Sequence, residues 1–257
     1  MPTALVTGAS SGLGREFARI HAKRDRDLVI TARRGVELEA LKRDLEGAHD
    51  CRVTVVEADL AAPDGVDTLV AGCEGIEIGV LINNAGFGAH GPFLEQPLER
   101  SRTMIELNIM ALSALAYRFA PAMVARGAGR ILNVGSTAGY LPGPLQAVYY
   151  ASKAYVNSFS QALAEELDGS GVTVTLLAPG PVKTGFTEAA NLEGLAAFEN
   201  AAEPATVARA GYEAMMRGEL VCIDDRRLAA ISRVLGLFPR KTVLKLSRRS
   251  MTKSDDA

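Results

Sequence analysis

A tyrosine and a lysine four residues apart, Tyr149 and Lys153 in the stretch YYASK, are the residues of this sequence that best suit proton transfer. Residues four apart lie on one face of an α-helix. A free phenol has a pKa of roughly 10 and is therefore a slow acid or base near neutral pH. Because a neighbouring ammonium group stabilises the phenolate, it lowers that pKa. The pair predicts an acid/base tyrosine assisted by a lysine.

The adjacent Tyr150 is the other candidate in this stretch. It is followed at the same offset by Ala154, and around a helix its side chain points about 100° away from that of Tyr149. We therefore predict that Tyr149 is the reactive residue and that Tyr150 packs in the fold or lines a pocket. Taken alone, the stretch also fits an ordinary amphipathic helix.

Three glycines, Gly8, Gly12 and Gly14, follow an apolar run near the start of the chain in LVTGASSGLG. Glycine lets a backbone turn tightly and approach a pyrophosphate, and the next helix offers free N–H groups and a positive dipole end. The spacing differs from the general dinucleotide fingerprint, and a tight turn without a ligand is the alternative. The position after a first strand favours dinucleotide binding.

Two arginines, Arg33 and Arg34, end the next apolar run, where NAD-binding folds carry an acidic residue that binds the ribose 2′-hydroxyl. No acid appears before Glu37. A carboxylate would repel a 2′-phosphate, whereas a guanidinium pairs with one. The sequence therefore predicts NADP(H) rather than NAD(H) as the cofactor. The alternative, that the arginines only begin a solvated helix, suits Arg34 better than Arg33.

The elements that would position these residues alternate between short β-branched runs and longer helical stretches. The predicted strands cover residues 4–7, 28–31, 53–57, 80–83, 130–134 and 172–178. The predicted helices cover residues 12–24, 36–46, 64–74, 98–126 and 148–168. This alternation predicts an α/β fold: a single-domain, doubly wound parallel sheet of the Rossmann-like kind with helices on both faces. Residues 179–204 are predicted to form a loop or short mobile helices.

Several motifs stand in one order: TGASSGLG at 7–14, ADL at 58–60, NNAG at 83–86, Asn108 in ELNIM, GSTAG at 135–139, YYASK at 149–153 and PGPVKT at 179–184. This set resembles the short-chain dehydrogenase/reductase family over residues 3–185. The resemblance implies a Rossmann-like fold, hydride transfer with a nicotinamide cofactor, and the catalytic set Asn108, Ser136, Tyr149 and Lys153. Tyr149 also follows Ser136 by 13 residues, which is the serine-to-tyrosine spacing of the family.

The roles of the catalytic set are implied by the same resemblance. In the family the serine hydrogen-bonds the substrate oxygen, the lysine also bonds the nicotinamide ribose, and the asparagine holds a water that links the lysine to solvent. We assign these roles to Ser136, Lys153 and Asn108. Taken singly, Ser136 also fits a plain loop, and Asn108 also fits a helix kink or polar packing.

The resemblance further implies cofactor contacts: to adenine from residues after the third strand, to the adenosine ribose from those after the fourth, and to the nicotinamide carboxamide from those after the sixth. The complete predicted cofactor set is Gly8, Ser10, Ser11, Gly12, Leu13, Gly14, Arg33, Asp59, Leu60, Asn83, Asn84, Gly86, Tyr149, Lys153, Val182 and Thr184. No metal-binding residue is predicted.

Two positions depart from the family pattern. Gly135 stands where many relatives have a second serine before the catalytic one, and we expect this change to loosen a supporting contact. Ser11 stands where strong NADP users often carry a basic residue. The NADP prediction therefore depends mainly on Arg33.

These motifs predict one dinucleotide-binding oxidoreductase domain over residues 1–257, in which residues 185–257 form a substrate loop and a C-terminal extension. We predict an NADP(H)-dependent interconversion of a ketone or aldehyde and an alcohol. The stretches NNAGFGAHGPF and YYASKAYVNSFSQALAEEL resemble the branch with hydroxysteroid and long-chain 3-ketoacyl reductases, which implies an apolar substrate. The alternative is a non-catalytic NADP(H)-binding sensor. The different glycine spacing argues against a sugar-nucleotide epimerase or dehydratase.

Composition argues against several other classes of protein. The 257 residues are 48% hydrophobic with a formal net charge of −2, which predicts a sizeable core and no nucleic-acid partner. Three widely spaced cysteines match neither a disulfide framework nor a zinc site. The start MPTALVTG lacks the pattern of a signal peptide, and Arg118 and Pro121 interrupt the stretch nearest to a membrane span. We therefore expect a cytoplasmic protein.

Residues 226–253 hold nine basic residues and no acid. Their pattern predicts two short amphipathic helices broken near Pro239. Three interpretations compete: packing over the substrate pocket or a neighbouring subunit, attraction of an anionic acyl carrier such as a coenzyme A thioester, and contact with an anionic membrane surface. The predicted apolar stripes are Leu228, Ile231, Val234 and Leu235 in one helix, and Val243, Leu244 and Leu246 in the other.

Two further expectations concern surfaces. Family members make dimer contacts through the helices equivalent to 98–126 and 148–168, so we predict a homodimer or homotetramer. His90 follows the fourth predicted strand and is interpreted as a solvated loop residue, with the rim of the substrate site as the alternative.

Overall fold

A computed structural model describes residues 2–195, 198, 201–234 and 238–252. The strands in this part of the chain are β1 (Thr3–Thr7), β2 (Leu28–Ala32), β3 (Val53–Glu57), β4 (Ile78–Asn83), β5 (Gly129–Val134), β6 (Val172–Leu177) and β7 (Val221–Cys222). They form one sheet in the order β3-β2-β1-β4-β5-β6-β7, and each neighbouring pair is parallel. The predicted parallel α/β sheet is confirmed.

The helices of the described residues connect these strands. They are α1 (Gly12–Ala22), α2 (Gly35–Ala48), α3 (Gly65–Gly72), α4 (Leu98–Ile105), α5 (Leu112–Arg126), α6 (Ala147–Glu166), α7 (Phe186–Ala189), α8 (Pro204–Arg217), α9 (Arg226–Val234) and α10 (Arg240–Ser250). A π-helical stretch, Glu106–Ala111, joins α4 to α5, and a 3₁₀ turn, Thr137–Tyr140, follows β5. The five predicted helices are all present, with small shifts at their ends.

Helices cover both faces of the sheet, as predicted. Successive side chains of a strand point to opposite faces, so β1 sends Val6 to one apolar cluster and Leu5 to another. The first cluster contains Phe17 of α1 and Tyr212 of α8. The second contains Leu115 of α5. The strands are therefore buried on both sides, which explains their nearly continuous apolar sequences.

Two elements, β7 and α8, lie outside the sequence prediction. A strand of two residues carries no detectable alternation, and β7 forms because Val221 and Cys222 pair with β6. The helix α8 begins at Pro204, a residue that suits a first helical position, directly after a stretch rich in small residues. Within the described part of 179–204, the chain forms α7 and a bridge between Val182 and Ala202.

The helix from Leu98 to Arg126 is longer than the apolar stretch within it that came nearest to a membrane span in the sequence. It has 29 residues, and its length and composition match a membrane span even though Pro121 lies inside it. Its buried side, which includes Leu115 and Met123, packs in the second apolar cluster of the sheet. A core helix of a soluble α/β fold passes the same test, so this match is weak support for membrane insertion.

The C-terminal segment forms two helices separated at Pro239, as predicted. In α10, Val243 and Ser247 are buried, and Met251 is buried directly after the helix. The basic side chains of α10 are exposed on the remaining surface. The side chain of Val234 and all of Leu235 lie outside the described residues, so the predicted stripe of α9 is described only for Leu228 and Ile231.

Candidate active site

The glycine turn between β1 and α1 presents bare backbone at the edge of the sheet. Gly8 has a φ of +67°, a left-handed conformation that favours glycine. A Cβ atom on Gly14 would collide with the carbonyl oxygen of Gly8. Asn84 holds the start of the turn because its Nδ2 donates to the Thr7 carbonyl at 2.8 Å. The turn therefore leaves the N-terminus of α1 open to a pyrophosphate, so these residues fit a dinucleotide.

Of the two arginines after β2, Arg34 is the one that contacts the glycine turn. Its Nη2 and Nε donate to Ser10 Oγ at 3.0 and 3.3 Å, and its Nη1 lies 3.6 Å from a carboxylate oxygen of Glu37. Arg34 does stand at the start of α2 and its side chain is 53% exposed, as the solvated helix start implied, but it also contacts the glycine turn. Arg33 is exposed and has no hydrogen bond or ion pair within the described residues. The Arg34 guanidinium therefore lies beside the turn, where a ribose phosphate would be bound.

Other predicted cofactor residues surround the same edge. Asp59 is exposed after β3, and its Oδ1 accepts a hydrogen bond from the Ala61 amide at 3.1 Å. Leu60 is buried, so any contact with adenine falls to its backbone. Thr184 lies against the turn, since a Cβ on Gly12 would come 3.0 Å from its Cγ2.

The side chain of Asn83 belongs to the sheet rather than to a nucleotide site. It is 3% exposed, and its Nδ2 donates to Asn133 Oδ1 at 2.9 Å. Asn133 in turn donates to Ser160 Oγ at 3.0 Å. The predicted ribose contact is therefore corrected for this side chain, which instead links β4 to β5. Residues that face the core of a sheet cannot also face its edge.

On α6, Lys153 lies one turn after Tyr149 and is buried. Its Nζ donates to the Val134 carbonyl at 2.8 Å and lies 5.8 Å from the centre of the Tyr149 ring. Burial lowers the pKa of Lys153 to about 8 because the ammonium loses its hydration. The predicted helical pair is thus formed, and the lysine still carries its proton at neutral pH.

The catalytic serine predicted at Ser136 caps the 3₁₀ turn after β5. Its Oγ accepts from the Ala138 amide at 3.1 Å, and the residue is 8% exposed. Burial raises the pKa of Tyr149, and a hydrogen bond with the Ser136 side chain opposes that rise. The expectation that Lys153 lowers the pKa of this phenol is therefore corrected, because desolvation outweighs the other influences.

Asn108, the fourth predicted catalytic residue, lies in the π-helical stretch and is 1% exposed. Its Oδ1 accepts from the Phe87 amide at 3.1 Å, and its Nδ2 donates to the Phe87 carbonyl and to Ser152 Oγ, each at 3.0 Å. Ser152 donates to the Tyr149 carbonyl at 2.7 Å. The kink and the polar packing that were alternatives for Asn108 are thus both observed, and the amide joins the loop after β4 to α6.

A family comparison agrees with this arrangement of glycine turn, serine, tyrosine and lysine. The model of the short chain dehydrogenase family matches residues 2–194. This chain belongs to that family. The membership implied by the ordered motifs is therefore confirmed, and the match covers β1 to β6 and all four predicted catalytic residues.

Curated relatives within the family act on different carbonyl compounds. The chain is 35% identical over 185 residues to a very-long-chain 3-oxoacyl-CoA reductase of Rattus norvegicus, covering 70% of this chain and 59% of that protein. It is 43% identical over 187 residues to a sulfoacetaldehyde reductase of Chromohalobacter salexigens, covering 71% of this chain and 73% of that protein. The chain thus spans well under two thirds of the oxoacyl-CoA reductase.

Solved structures in the family share the fold over almost the whole chain. A short-chain dehydrogenase from Sphingobium yanoikuyae in complex with NADPH is 36% identical, with a TM-score of 0.86 and 92% coverage of both chains. One from Burkholderia phymatum in complex with NAD is 26% identical, with a TM-score of 0.83 and coverage of 98% of this chain and 96% of that one. A nicotinamide dinucleotide cofactor is thereby supported.

Apolar side chains pack around Tyr149. The Phe186 ring lies 5.4 Å from the Tyr149 ring between centres, and Tyr150 lies 6.1 Å away with its ring edge-on. The other members of this apolar cluster are Ala138, Leu141, Leu145, Ala190, Leu192, Leu195, Phe198 and Met251. The interpretation of Tyr150 as a packing residue is confirmed.

The C-terminal segment contributes to this cluster through Met251, the residue that follows α10. The Met251 side chain is 6% exposed, and its carbonyl oxygen lies 2.7 Å from Nε2 of His90. His90 is therefore not the solvated loop residue that we interpreted; it joins the loop after β4 to the end of α10. Among the three interpretations of the basic segment, packing against the body of the protein is the one with contacts in the described residues.

Sequence reasoning overlooked Asn157 as well as the bond between His90 and Met251. A usable signal existed for Asn157, which stands four residues after Lys153 on the same face of α6. No local signal could have joined His90 to Met251, which are 161 residues apart.

A surface groove of about 560 Å³ lies between the loop after Tyr140 and the start of α10. Tyr150 lines this groove, and Tyr149 does not.

Proposed function

We propose that the chain is an NADP(H)-dependent oxidoreductase that interconverts a ketone or aldehyde and an alcohol. The observation that carries this proposal is the convergence of Ser136, Tyr149 and Lys153 at the carboxyl edge of the sheet, next to the glycine turn. A site at this edge is the usual ligand position of an open parallel sheet. The family includes reductases of carbonyl compounds, which agrees with the proposal.

The chain's own residues would handle the substrate oxygen and its proton. A bound nicotinamide would supply or accept the hydride. In reduction, the Ser136 hydroxyl would donate a hydrogen bond to the carbonyl oxygen, and the Tyr149 phenol would give its proton to the oxygen as negative charge develops there. The Lys153 ammonium would then stabilise the phenolate. Phe186 and Met251 would exclude water, which strengthens these electrostatic effects.

Cofactor choice is proposed to favour the 2′-phosphate of NADP(H). Two guanidinium groups, Arg33 and Arg34, follow β2, and no carboxylate precedes them there. Arg34 already reaches Ser10 in the glycine turn. We propose that Arg33 pairs with the phosphate and that Arg34 closes the other side of its site.

The substrate is proposed to be an apolar carbonyl compound. The cluster around Tyr149 consists of alanine, leucine, methionine and aromatic side chains. Burial of such surface against an apolar substrate is favourable by about 25 cal/mol per Å². This environment suits a long acyl chain better than a small sulfonate, which would be placed among side chains that are mostly apolar and include no cation in the cluster.

The test is cofactor turnover with a panel of carbonyl compounds, each assayed with NADPH and with NADH. We expect oxidation of NADPH with long-chain 3-oxoacyl thioesters or bulky apolar ketones, and little with sulfoacetaldehyde. A protein that binds NADPH and turns over none of the panel would support the sensor alternative. Preferential use of sulfoacetaldehyde would contradict the apolar substrate.

Self-association is proposed through the helix Leu98–Arg126 and through α6. Met110 in the π-helical stretch, Tyr117 in α5 and Tyr155 in α6 are exposed apolar residues, with Tyr117 80% exposed. Exposed apolar surface of this kind is typical of interfaces. Light scattering on the intact protein tests this, and a monomer at micromolar concentration would contradict it. Membrane contact and cytoplasmic location stay predictions; binding to anionic vesicles that salt weakens would support the former.

A further inference from the structure

The side chain of Asn157 binds both backbone polar groups of Ser136. Its Nδ2 donates to the Ser136 carbonyl at 2.9 Å, and its Oδ1 accepts from the Ser136 amide at 3.4 Å. Asn157 is 3% exposed, so these contacts are made away from water. Both ends of one amide are thus used on one residue, the serine that faces the substrate oxygen.

The amide occupies a place where the sheet can no longer pair. β4 ends its pairing with β5 at Asn83 opposite Asn133, three residues before Ser136. On the other side the backbone continues to bond, since the amides of Gly135 and Thr137 donate to the Leu177 and Pro179 carbonyls. Without Asn157 the Ser136 N–H would be buried and unpaired, which is unfavourable, and the Ser136 carbonyl would keep only the bond from the Gly139 amide at 3.0 Å.

Two glycines leave the space that this amide fills. A Cβ atom on Gly135 would collide with Asn157 Oδ1 and come 2.7 Å from Leu176 Cδ1. A Cβ atom on Gly139 would collide with Asn157 Nδ2 and come 2.6 Å from the Lys153 carbonyl. From the sequence we expected Gly135 to loosen a supporting contact, and the structure shows a different role. The glycine makes room for the Asn157 amide.

The helix places this amide in line with the acid and the lysine. Tyr149, Lys153 and Asn157 follow one another at intervals of four residues on one face of α6. The same helix face therefore holds the tyrosine and fixes the backbone of the serine. The distance between the Ser136 hydroxyl and the Tyr149 phenol depends on this connection.

We propose that Asn157 is a positioning residue, which holds Ser136 against Tyr149 in place of the second serine that many relatives carry at position 135. This proposal rests on the function proposed above, in which Ser136 and Tyr149 act on the substrate oxygen. Asn157 itself touches neither substrate nor cofactor. Its effect passes through the backbone of Ser136.

The test is a double-mutant cycle between positions 157 and 135. Asn157→Ala should lower kcat about tenfold to a hundredfold, because small displacements of catalytic groups have effects of that size. Gly135→Ser should also lower kcat, since its side chain collides with the amide. In the double variant the new serine enters the vacated space, and kcat should recover most of the loss. Additive losses in the double variant would overturn the proposal.

Three further readouts separate positioning from general damage. The Kd of NADPH should stay within about twofold of wild type, since the amide does not reach the glycine turn. The pKa that governs the pH profile of kcat should rise in Asn157→Ala, because the Ser136 hydrogen bond that opposes the raised Tyr149 pKa is weakened. Hydrogen exchange of the Ser136 amide should become faster. Unchanged exchange at Ser136 would contradict the proposed contact regardless of activity.

Asn133→Ala is the matched control. Asn133 is also a fully buried asparagine, but its amide bonds Asn83 and Ser160 rather than Ser136. We expect a comparable loss of thermal stability with a much smaller loss of kcat. Equal losses of kcat in the two variants would reduce Asn157 to a structural residue.

Ser136→Ala and Tyr149→Phe are measured together with this cycle. If those variants retain activity, the proposed function fails, whereas the hydrogen-exchange result still tests the contact between Asn157 and Ser136. If Asn157→Ala does not fold, Asn157→Asp gives the same test, since its carboxylate cannot donate to the Ser136 carbonyl.

Discussion

The two sides of Tyr149 are built from different interactions. Towards the glycine turn, positions are held by hydrogen bonds with named partners, such as Asn84 to the Thr7 carbonyl and Lys153 to the Val134 carbonyl. Towards the C-terminal segment, the contacts are apolar side chains around Phe186 and Met251, with the His90 bond as one polar link.

The two kinds of contact indicate where the site needs exact distances between groups. Hydrogen bonds have narrow distance and angle ranges, so they suit groups that must meet a phosphate, a hydride donor or a transferred proton. Apolar contacts are less directional and tolerate changes of shape, so they suit a pocket for a flexible apolar substrate. We expect substitutions on the cofactor side to change kcat or cofactor affinity, and substitutions on the substrate side to change KM.

The largest effect is expected at the border of the two sides, in Tyr149→Phe. The ring and its contacts with Phe186 remain while the acid is lost, so kcat should fall by about 10²- to 10⁴-fold with little change in the Kd of NADPH. Tyr150→Phe is the matched variant, and steady-state kinetics should find it close to wild type. An active Tyr149→Phe with an inactive Tyr150→Phe would reverse the assignment.

A buried histidine at the end of α1 should make the stability of the fold sensitive to pH. His21 on α1 lies 2.8 Å from the Tyr212 hydroxyl of α8, measured from Nδ1. Burial lowers the pKa of His21 from 6.5 to about 4, with help from Arg26 and Arg24. In this range the unfolded chain binds more protons, so this contribution is complete above pH 6.5 and is lost as the pH falls towards 4.

The expected size of this loss is roughly 3 kcal/mol, at about 1.4 kcal/mol for each pH unit between the two pKa values. Urea unfolding of wild type and His21→Gln at pH 7 and pH 4 measures it. The variant lacks the His21 titration but keeps the carboxylates, so the difference between the two proteins subtracts the carboxylate contribution. His49→Gln, at the end of α2, is the control. The same pH dependence in wild type and His21→Gln would contradict the prediction.

Arg33→Asp tests the cofactor side at its ribose end. Replacing a phosphate partner by a repelling carboxylate should weaken NADPH binding by about ten- to a hundredfold, with a much smaller effect on NADH. Fluorescence titration with both cofactors measures the ratio. Arg34→Asp is the matched variant, and we expect it to weaken NADPH less, because Ser10 and Glu37 already occupy part of that guanidinium. Unchanged NADPH affinity in Arg33→Asp would contradict the NADP assignment.

The smallest effects are expected on the substrate side. Met251→Ala removes a buried side chain from the cluster, and His90→Ala removes one hydrogen bond to the end of α10. Each should raise KM for an apolar ketone by roughly two- to tenfold, as expected for a loss of about 0.5–1.5 kcal/mol. Both should leave kcat and the Kd of NADPH nearly unchanged. A loss of kcat without a change of KM would break the division between the two sides.

Much of the cofactor side could be predicted because its signals are local. The turn at Gly8 and Gly14, and the pairing of Tyr149 with Lys153, depend on residues a few positions apart. The predicted ribose contact of the Asn83 side chain was wrong because Asn83 and Asn84 carry the same amide at the end of β4 but point to opposite sides. The predicted lowering of the Tyr149 pKa was wrong because the burial of this phenol, to which Phe186 contributes, is a property of the folded site.

The sequence by itself determined the parallel α/β fold, the glycine turn and the helical register of the reactive tyrosine, since periodicity and short spacing carry that information. Only the folded structure shows that Arg34 reaches Ser10, that Asn157 hydrogen-bonds Ser136 and that Met251 belongs to the apolar cluster around Tyr149. These contacts join residues 21 or more positions apart. Their formation depends on how strands and helices are brought together in space, which no local pattern of residue types records.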